Sequence, residues 1–218
     1  MDPLTKTEFA MSQLRDAITS GKLRPGDWIR ADQWADRMGL SETPVREALS
    51  RLEGLGLVEI FPHRGARVTT RTREHIVETY VMRSALEGAA ARAAIERTSD
   101  EQLNELIARV DDLTERMGQA VEDGDVARIR EINHEIHWLL YDAAALPRLT
   151  ALIKGLWAIY PFDTLDGAKD RPAAALKEHI TIRDALRSRD ARALQQAVEQ
   201  HLAAAQMLIA EMPLPEEA

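Results

Sequence analysis

The chain of 218 residues contains no cysteine. That excludes disulfides, thiolate metal sites and cysteine nucleophiles, and it fits a reducing compartment. Aromatic residues are only 5% of a chain that is 45% hydrophobic, so its core must be aliphatic. No apolar run is long enough to span a bilayer. The N-terminus has neither the basic start nor the apolar stretch of a secretory signal, and the chain is expected in the cytoplasm. Positive charge is also scarce, with a net charge of −8. The deficit is uneven: residues 1–70 hold ten Lys/Arg and ten Asp/Glu, whereas residues 71–218 hold eighteen and twenty-six. The first segment can still offer a basic face to a polyanion, and the second should repel one. Two domains are expected, over residues 1–70 and 71–218.

The richest stretch runs from Asp32 to Val68. Helical periodicity from Asp32 stops at Met38-Gly39, and Gly suits a left-handed helix end. Thr43 is expected as the next N-cap and Pro44 as the first helical residue, where a missing N–H costs nothing. Val45, Ala48, Leu49 and Leu52 form the apolar face of that helix, with Arg46, Glu47, Ser50 and Arg51 opposite. Two short helices around a tight glycine turn make a helix-turn-helix. Leu57 to Phe61 reads as extended, Pro62 to Gly65 as a turn, and Ala66 to Val68 as extended again, which predicts a hairpin wing. Upstream, Leu4, Phe9, Met11, Leu14, Ala17 and Ile18 predict a helix over residues 4–20. Ile29 and Trp34 open the helix-turn-helix core, with Trp34 a packing residue.

These residues resemble the winged helix-turn-helix of the GntR family of bacterial transcription regulators. The resemblance lies in Ser41-x-Thr43-Pro44-Val45-Arg46-Glu47-Ala48-Leu49-x-Arg51-Leu52, in the preceding turn Gly21 to Asp27, and in the wing Pro62 to Val68. It implies binding to double-stranded DNA, with the second helix in the major groove and the wing beside the backbone. The residues expected at DNA are Ser41, Glu42, Thr43 and Arg46 on the helix and His63, Arg64 and Gly65 on the wing. Arg46 suits a bidentate contact to guanine. Ser41 and Thr43 suit phosphates near a helix N-terminus. Gly65 would let the wing backbone approach closely. Glu42 stands where the family usually has Arg; it either accepts from a cytosine amino group or removes a contact. Arg51 reads as a solvated charge.

After Val68 no strand signal appears. Thr69 to Arg73 reads as a polar linker, followed by helices over about 74–97, 100–122, 126–145, 147–161, 173–188 and 191–211, with Gly167 to Pro172 a loop. Ser99 and Asp190 are expected as caps, and Pro213 to Pro215 as a helix-breaking tail. The fold class is therefore mostly α, a winged helix-turn-helix followed by an antiparallel α-helical bundle.

Three histidines share apolar stripes of separate bundle helices. His201 is in register with Leu194, Val198 and Leu202, His179 with Leu176 and Ile182, and His137 with Leu140, while Asn133 lies one turn before His137. Buried imidazoles need hydrogen-bond partners or a metal. They are either satisfied core residues or one shared site, which would suit Zn, Ni, Fe or Mn. His134 is expected to point elsewhere, and Trp157, Tyr160 and Phe162 either line a cavity or serve as core or dimer contacts.

The second segment is similar to the FCD ligand-binding domain that accompanies this winged helix in FadR-type members of the family. The match rests on Arg83-x-x-Leu86-Glu87, on Asn133-x-x-Ile136-His137 with Leu146-Pro147-Arg148-Leu149, and on Glu178-His179 followed by His201. The resemblance implies a divalent metal held by Asn133, His137, His179 and His201. Asn133 departs from the commoner Asp, and its neutral amide leaves the ion without a protein anion in its first shell. Arg83 would favour a small carboxylate effector in the same cavity, or else pair with Glu87 along the helix. The function implied is an effector-responsive regulator, expected to be a homodimeric repressor on a palindromic operator. The competing classes are a metal-dependent enzyme on the bundle and a DNA binder without effector response.

Overall fold

The computed structural model describes residues 5–69, 73–159 and 171–211. Contacts divide the chain into two compact units, Met1–Thr72 with Trp157–Pro161, and Arg73–Leu156 with Phe162–Ala218. In the first unit, helix α1 (Lys6–Thr19) starts at a capping box in which Thr5 and Glu8 satisfy each other's backbone N–H groups. A short strand β1 (Trp28–Ile29) leads into α2 (Ala31–Met38), which closes on Gly39 at φ 65°. Helix α3 (Glu42–Gly54) and the hairpin of β2 (Val58–Phe61) and β3 (Gly65–Val68) complete the winged helix-turn-helix. The antiparallel sheet has the order β1-β3-β2, with Trp28 opposite Arg67 and Ile60 opposite Ala66. Leu14, Ile29, Val45 and Leu52 are fully buried in one aliphatic core, and Trp34 packs with them. Each such side chain contributes about 1.5–3 kcal/mol by leaving water. Thr7 on α1 donates to Glu47 on α3 at 2.8 Å and ties the two helices together.

Two local expectations change. Ser41, not Thr43, is the N-cap of α3, at φ −76° and ψ 163°. Pro44 is therefore the third helical residue, still inside the first turn, where its missing N–H breaks no intrahelical bond. Strand β1 was not anticipated, because two residues are too few to show an alternation.

The second unit consists of α4 (Arg73–Arg97), α5 (Asp100–Asp123), α6 (Val126–Ala143), α7 (Pro147–Ile159) as far as Leu156, α8 (Arg171–Arg187) and α9 (Ala191–Glu211). Ser99 and Gln102 form a capping box at α5, and Asp125 caps α6. Asp190 accepts from the backbone N–H groups of Arg192 and Ala193. Arg171 and Pro172, expected in a loop, are already helical, and residues 167–170 lie outside the described residues. So do Tyr160, Phe162 and the proline tail. Among the described residues no strand follows Val68, and no helix is long and apolar enough to cross a membrane. Gly88 brings α4 close to α9: a Cβ there would stand 2.7 Å from Glu199 Oε1 and 2.9 Å from its Cγ. One residue before Gly88 on α4, Glu87 faces His137 of α6, with its Oε2 3.4 Å from His137 Nδ1.

Candidate DNA-reading face and candidate metal centre

Burying Val45, Ala48, Leu49 and Leu52 turns the opposite face of α3 to solvent. Ser41, Glu42, Thr43 and Arg46 are all exposed, as are His63 and Arg64 at the tip of the wing. A concavity in the first unit brings Glu42 and Arg46 together with His63, Arg64 and Gly65, and adds Arg30, which sequence reasoning missed. Ser41 and Thr43 sit at the N-terminus of α3 outside that lining. The Ser41 side chain makes no capping bond. Arg46 is held by its own helix: its Nη2 donates to Glu42 Oε2 at 2.6 Å and its Nε at 3.2 Å. An exposed i,i+4 pair of this kind contributes only about 0.3–0.5 kcal/mol, so Arg46 can exchange Glu42 for another acceptor at little cost. Arg64 lies over the Trp28 ring at 4.8 Å. His63 has φ 62° and Gly65 φ 103°. A Cβ on Gly65 would stand 2.5 Å from the Ile29 carbonyl oxygen, so the sheet itself already requires glycine there.

In the second unit, α6, α8 and α9 each contribute one buried histidine. His137, His179 and His201 offer ligand atoms that all lie within 4.8 Å of one another. Each ring is anchored through Nδ1. His179 Nδ1 donates to the Ala175 carbonyl at 2.8 Å, and His201 Nδ1 to Glu178 Oε2 at 2.7 Å. His137 Nδ1 lies 3.1 Å from the Tyr141 hydroxyl and 3.4 Å from Glu87 Oε2. The Tyr141 hydroxyl itself donates to Glu87 through a short bond. A carbonyl or a carboxylate can only accept, so these partners place the imidazole proton on Nδ1 and leave Nε2 with its lone pair. Asn133 is also buried, one turn before His137 on α6, and neither its Oδ1 nor its Nδ2 has a hydrogen-bond partner in the protein. The buried Nε2 of His179 has none either. Buried polar atoms left in this way are rare and costly, and the donor set fits a divalent ion of borderline softness.

Electrostatics agree with neutral imidazoles. Burial pushes His179 well below the usual histidine range, and the neighbouring His201 and His137 push it further. Burial, then His137 and Arg171, do the same to His201. Burial would raise the Glu87 carboxyl, but Arg83, His137 and Tyr141 together hold it at about 2. Arg83 forms the intrahelical pair that was one of its two expected roles, with its Nε donating to Glu87 Oε1 at 2.7 Å. His134 stays outside the cluster, exposed and stacked on Trp138 at 4.0 Å. Trp157 is buried. Glu87, Tyr141, Arg171 and Glu178 were not assigned to the histidines from sequence. Tyr141 carried a usable signal, since it follows His137 by four helical positions. Glu178 approaches His201 across two helices, and no sequence spacing reports that contact.

Comparison with known proteins places both halves. The model of the bacterial regulatory proteins of the gntR family matches residues 6–68, and that of the FCD domain matches residues 78–204. A protein of Paenarthrobacter nicotinovorans named a probable D-xylose utilization operon transcriptional repressor is 32% identical over 206 residues, 92% of this chain and 88% of that one. The HTH-type transcriptional regulator McbR of Escherichia coli is 29% identical over 175 residues, 78% of this chain and 75% of that one. A solved structure of E. coli McbR/YncC superposes with a TM-score of 0.71 at 25% identity, covering 95% and 98% of the two chains. A GntR transcriptional regulator from Rhodococcus sp. RHA1 gives 0.65 at 26%, covering 94% and 98%.

Proposed function

The chain belongs to the GntR family of bacterial regulatory proteins and carries an FCD domain, which makes it a DNA-binding transcription regulator and not an enzyme; from that premise we propose a cytoplasmic homodimeric repressor that leaves its palindromic operator when a small carboxylate binds at a divalent metal in the second unit. The observation that carries this reading is the convergence of His137, His179 and His201 beside the partnerless amide of Asn133. FCD domains often bind metal, and neutral imidazoles suit Zn, Ni, Fe or Mn. When bound, the ion supplies a positive centre that an anionic ligand can coordinate. Asn133 adds no negative charge to it, so a carboxylate effector supplies the missing anion.

On the first unit, Arg46 reads a base edge, Ser41 and Thr43 hold phosphates, and His63, Arg64 and Gly65 follow the backbone from the wing. One winged helix offers a small interface, and two-fold symmetry doubles it on a palindrome. Repression is supported by the named repressor among the relatives. The effector works only through its different affinity for two states of the dimer that differ in DNA affinity.

The test begins with the purified full chain, whose metal content and sedimentation give stoichiometry and oligomeric state. Fluorescence anisotropy on an operator fragment then follows release by a panel of small carboxylates, with and without added metal. The expected result is release by one carboxylate class, only in the presence of metal. Operator affinity indifferent to every carboxylate and every metal would leave a DNA binder without effector response.

A further inference from the structure

Asn133, His137, His179 and His201 do not exhaust the site. Two carboxylates flank the histidine cluster from different helices, Glu87 buried and Glu178 partly exposed. Glu87 on α4 places Oε1 on Arg83 at 2.7 Å and turns Oε2 toward Tyr141 and His137. Glu178 on α8 places Oε1 on Arg171 at 2.6 Å and Oε2 on His201 at 2.7 Å. Each carboxylate thus spends one oxygen on a guanidinium, which fixes its position, and the other on the Nδ1 side of a ligand histidine. His179, the third histidine, is oriented by the backbone instead, through the Ala175 carbonyl.

We infer that Glu87 and Glu178 are positioning residues of the metal centre, Glu178 directly and Glu87 with Tyr141, each holding its histidine with Nε2 toward the ion. This rests on the metal-site reading above. An imidazole that donates from Nδ1 to a carboxylate becomes a more basic ligand at Nε2, and such partners tune metal affinity by about 10–100-fold. Arg83 and Arg171 hold the two carboxylates, and through them the rings, in place.

The experiment uses the full-length protein and two metals alone, Zn2+ by competition with a chromophoric chelator and Co2+ by its visible absorption spectrum. Glu178→Gln is the leading variant, because Glu178 is partly exposed and its loss should leave the fold intact. Glu87→Gln follows, and Tyr141→Phe accompanies it as the variant that removes the phenolic link while keeping the Arg83–Glu87 pair. Glu178→Gln is expected to weaken Zn2+ binding about 10–100-fold and to alter the Co2+ spectrum, with the thermal midpoint of the metal-free protein little changed. Tyr141→Phe should move the spectrum in the same way by a smaller amount. If Glu178→Gln and Tyr141→Phe both bind Zn2+ within twofold of the unchanged protein and give its Co2+ spectrum, the positioning role is overturned and the carboxylates only balance the two arginines. If the unchanged protein takes up neither metal, the metal centre itself is overturned and the positioning role with it.

Discussion

Arg46 and Glu42 show how far a single residue can be judged from its type. The polar position of Arg46 on the recognition helix was plain in the sequence, because Val45, Ala48, Leu49 and Leu52 had to face inward. Its pairing with Glu42 was equally available from the i,i+4 spacing, yet Glu42 invited a search for a partner on DNA and not on the helix. The structure gives it the nearer one, at 2.6 Å. Arg46→Ala is expected to weaken operator binding by about 1–3 kcal/mol and to relax preference at one base of each half-site. Fluorescence titration across operator variants checks this, and an equal loss on every sequence would make Arg46 a phosphate contact. Glu42→Arg removes the acceptor from Arg46 and adds a cation beside the concavity. Affinity for DNA in general should rise, and the slope of log K against log salt should steepen by about 0.9 for one added phosphate contact. An unchanged slope would place residue 42 away from the backbone.

At the scale of elements, the helices were legible because their stripes are aliphatic and their ends carry caps: Thr5, Ser99, Asp125 and Asp190 all act as such. The two-residue strand β1 was not, and neither was the start of α3, where Ser41 and Thr43 are both good caps and only the backbone distinguishes them. The inward direction of the three histidines followed from period alone; what anchors their Nδ1 atoms did not, because Glu87 and Glu178 reach them from other turns and other helices. Burial of the imidazoles sets a pH dependence for the metal-free bundle. His179 and His201 have folded pKa values well below the unfolded value of 6.5, so below that pH the unfolded chain takes up protons the folded one does not. Their contribution to stability is present above pH 6.5 and is lost as pH falls below it. Glu87, held at about 2 against an ordinary 4.5, adds stability above 4.5 that is lost between those two values. Thermal unfolding of chelator-treated protein should therefore show a midpoint that falls in two stages on acidification. A midpoint unchanged from about pH 7.5 to about pH 5 would contradict neutral, buried imidazoles.

The whole molecule divides its charge between its segments: the neutral first segment carries the exposed Arg46, Arg64 and Arg30, and the acidic second segment buries three histidines together. In the proposed function, Asn133 is the position where metal, effector and operator binding would meet in one measurable coupling. Asn133→Asp adds a negative charge beside a divalent cation, so metal affinity should rise. The same charge lowers the net positive charge of the centre and repels an incoming carboxylate, so effector affinity should fall. Because coupling is reciprocal, the effector concentration needed to release operator DNA should rise in step with that loss, while operator binding by the dimer without effector should stay nearly unchanged. A packing defect at this buried position would weaken both ligands together and lower the thermal midpoint, which makes opposite shifts diagnostic. Titrating Zn2+, the releasing carboxylate and operator DNA against the unchanged protein and Asn133→Asp separates the two cases. Should the substitution move neither metal nor effector affinity, Asn133 is a polar residue of the helical core and the cluster of three histidines binds without it.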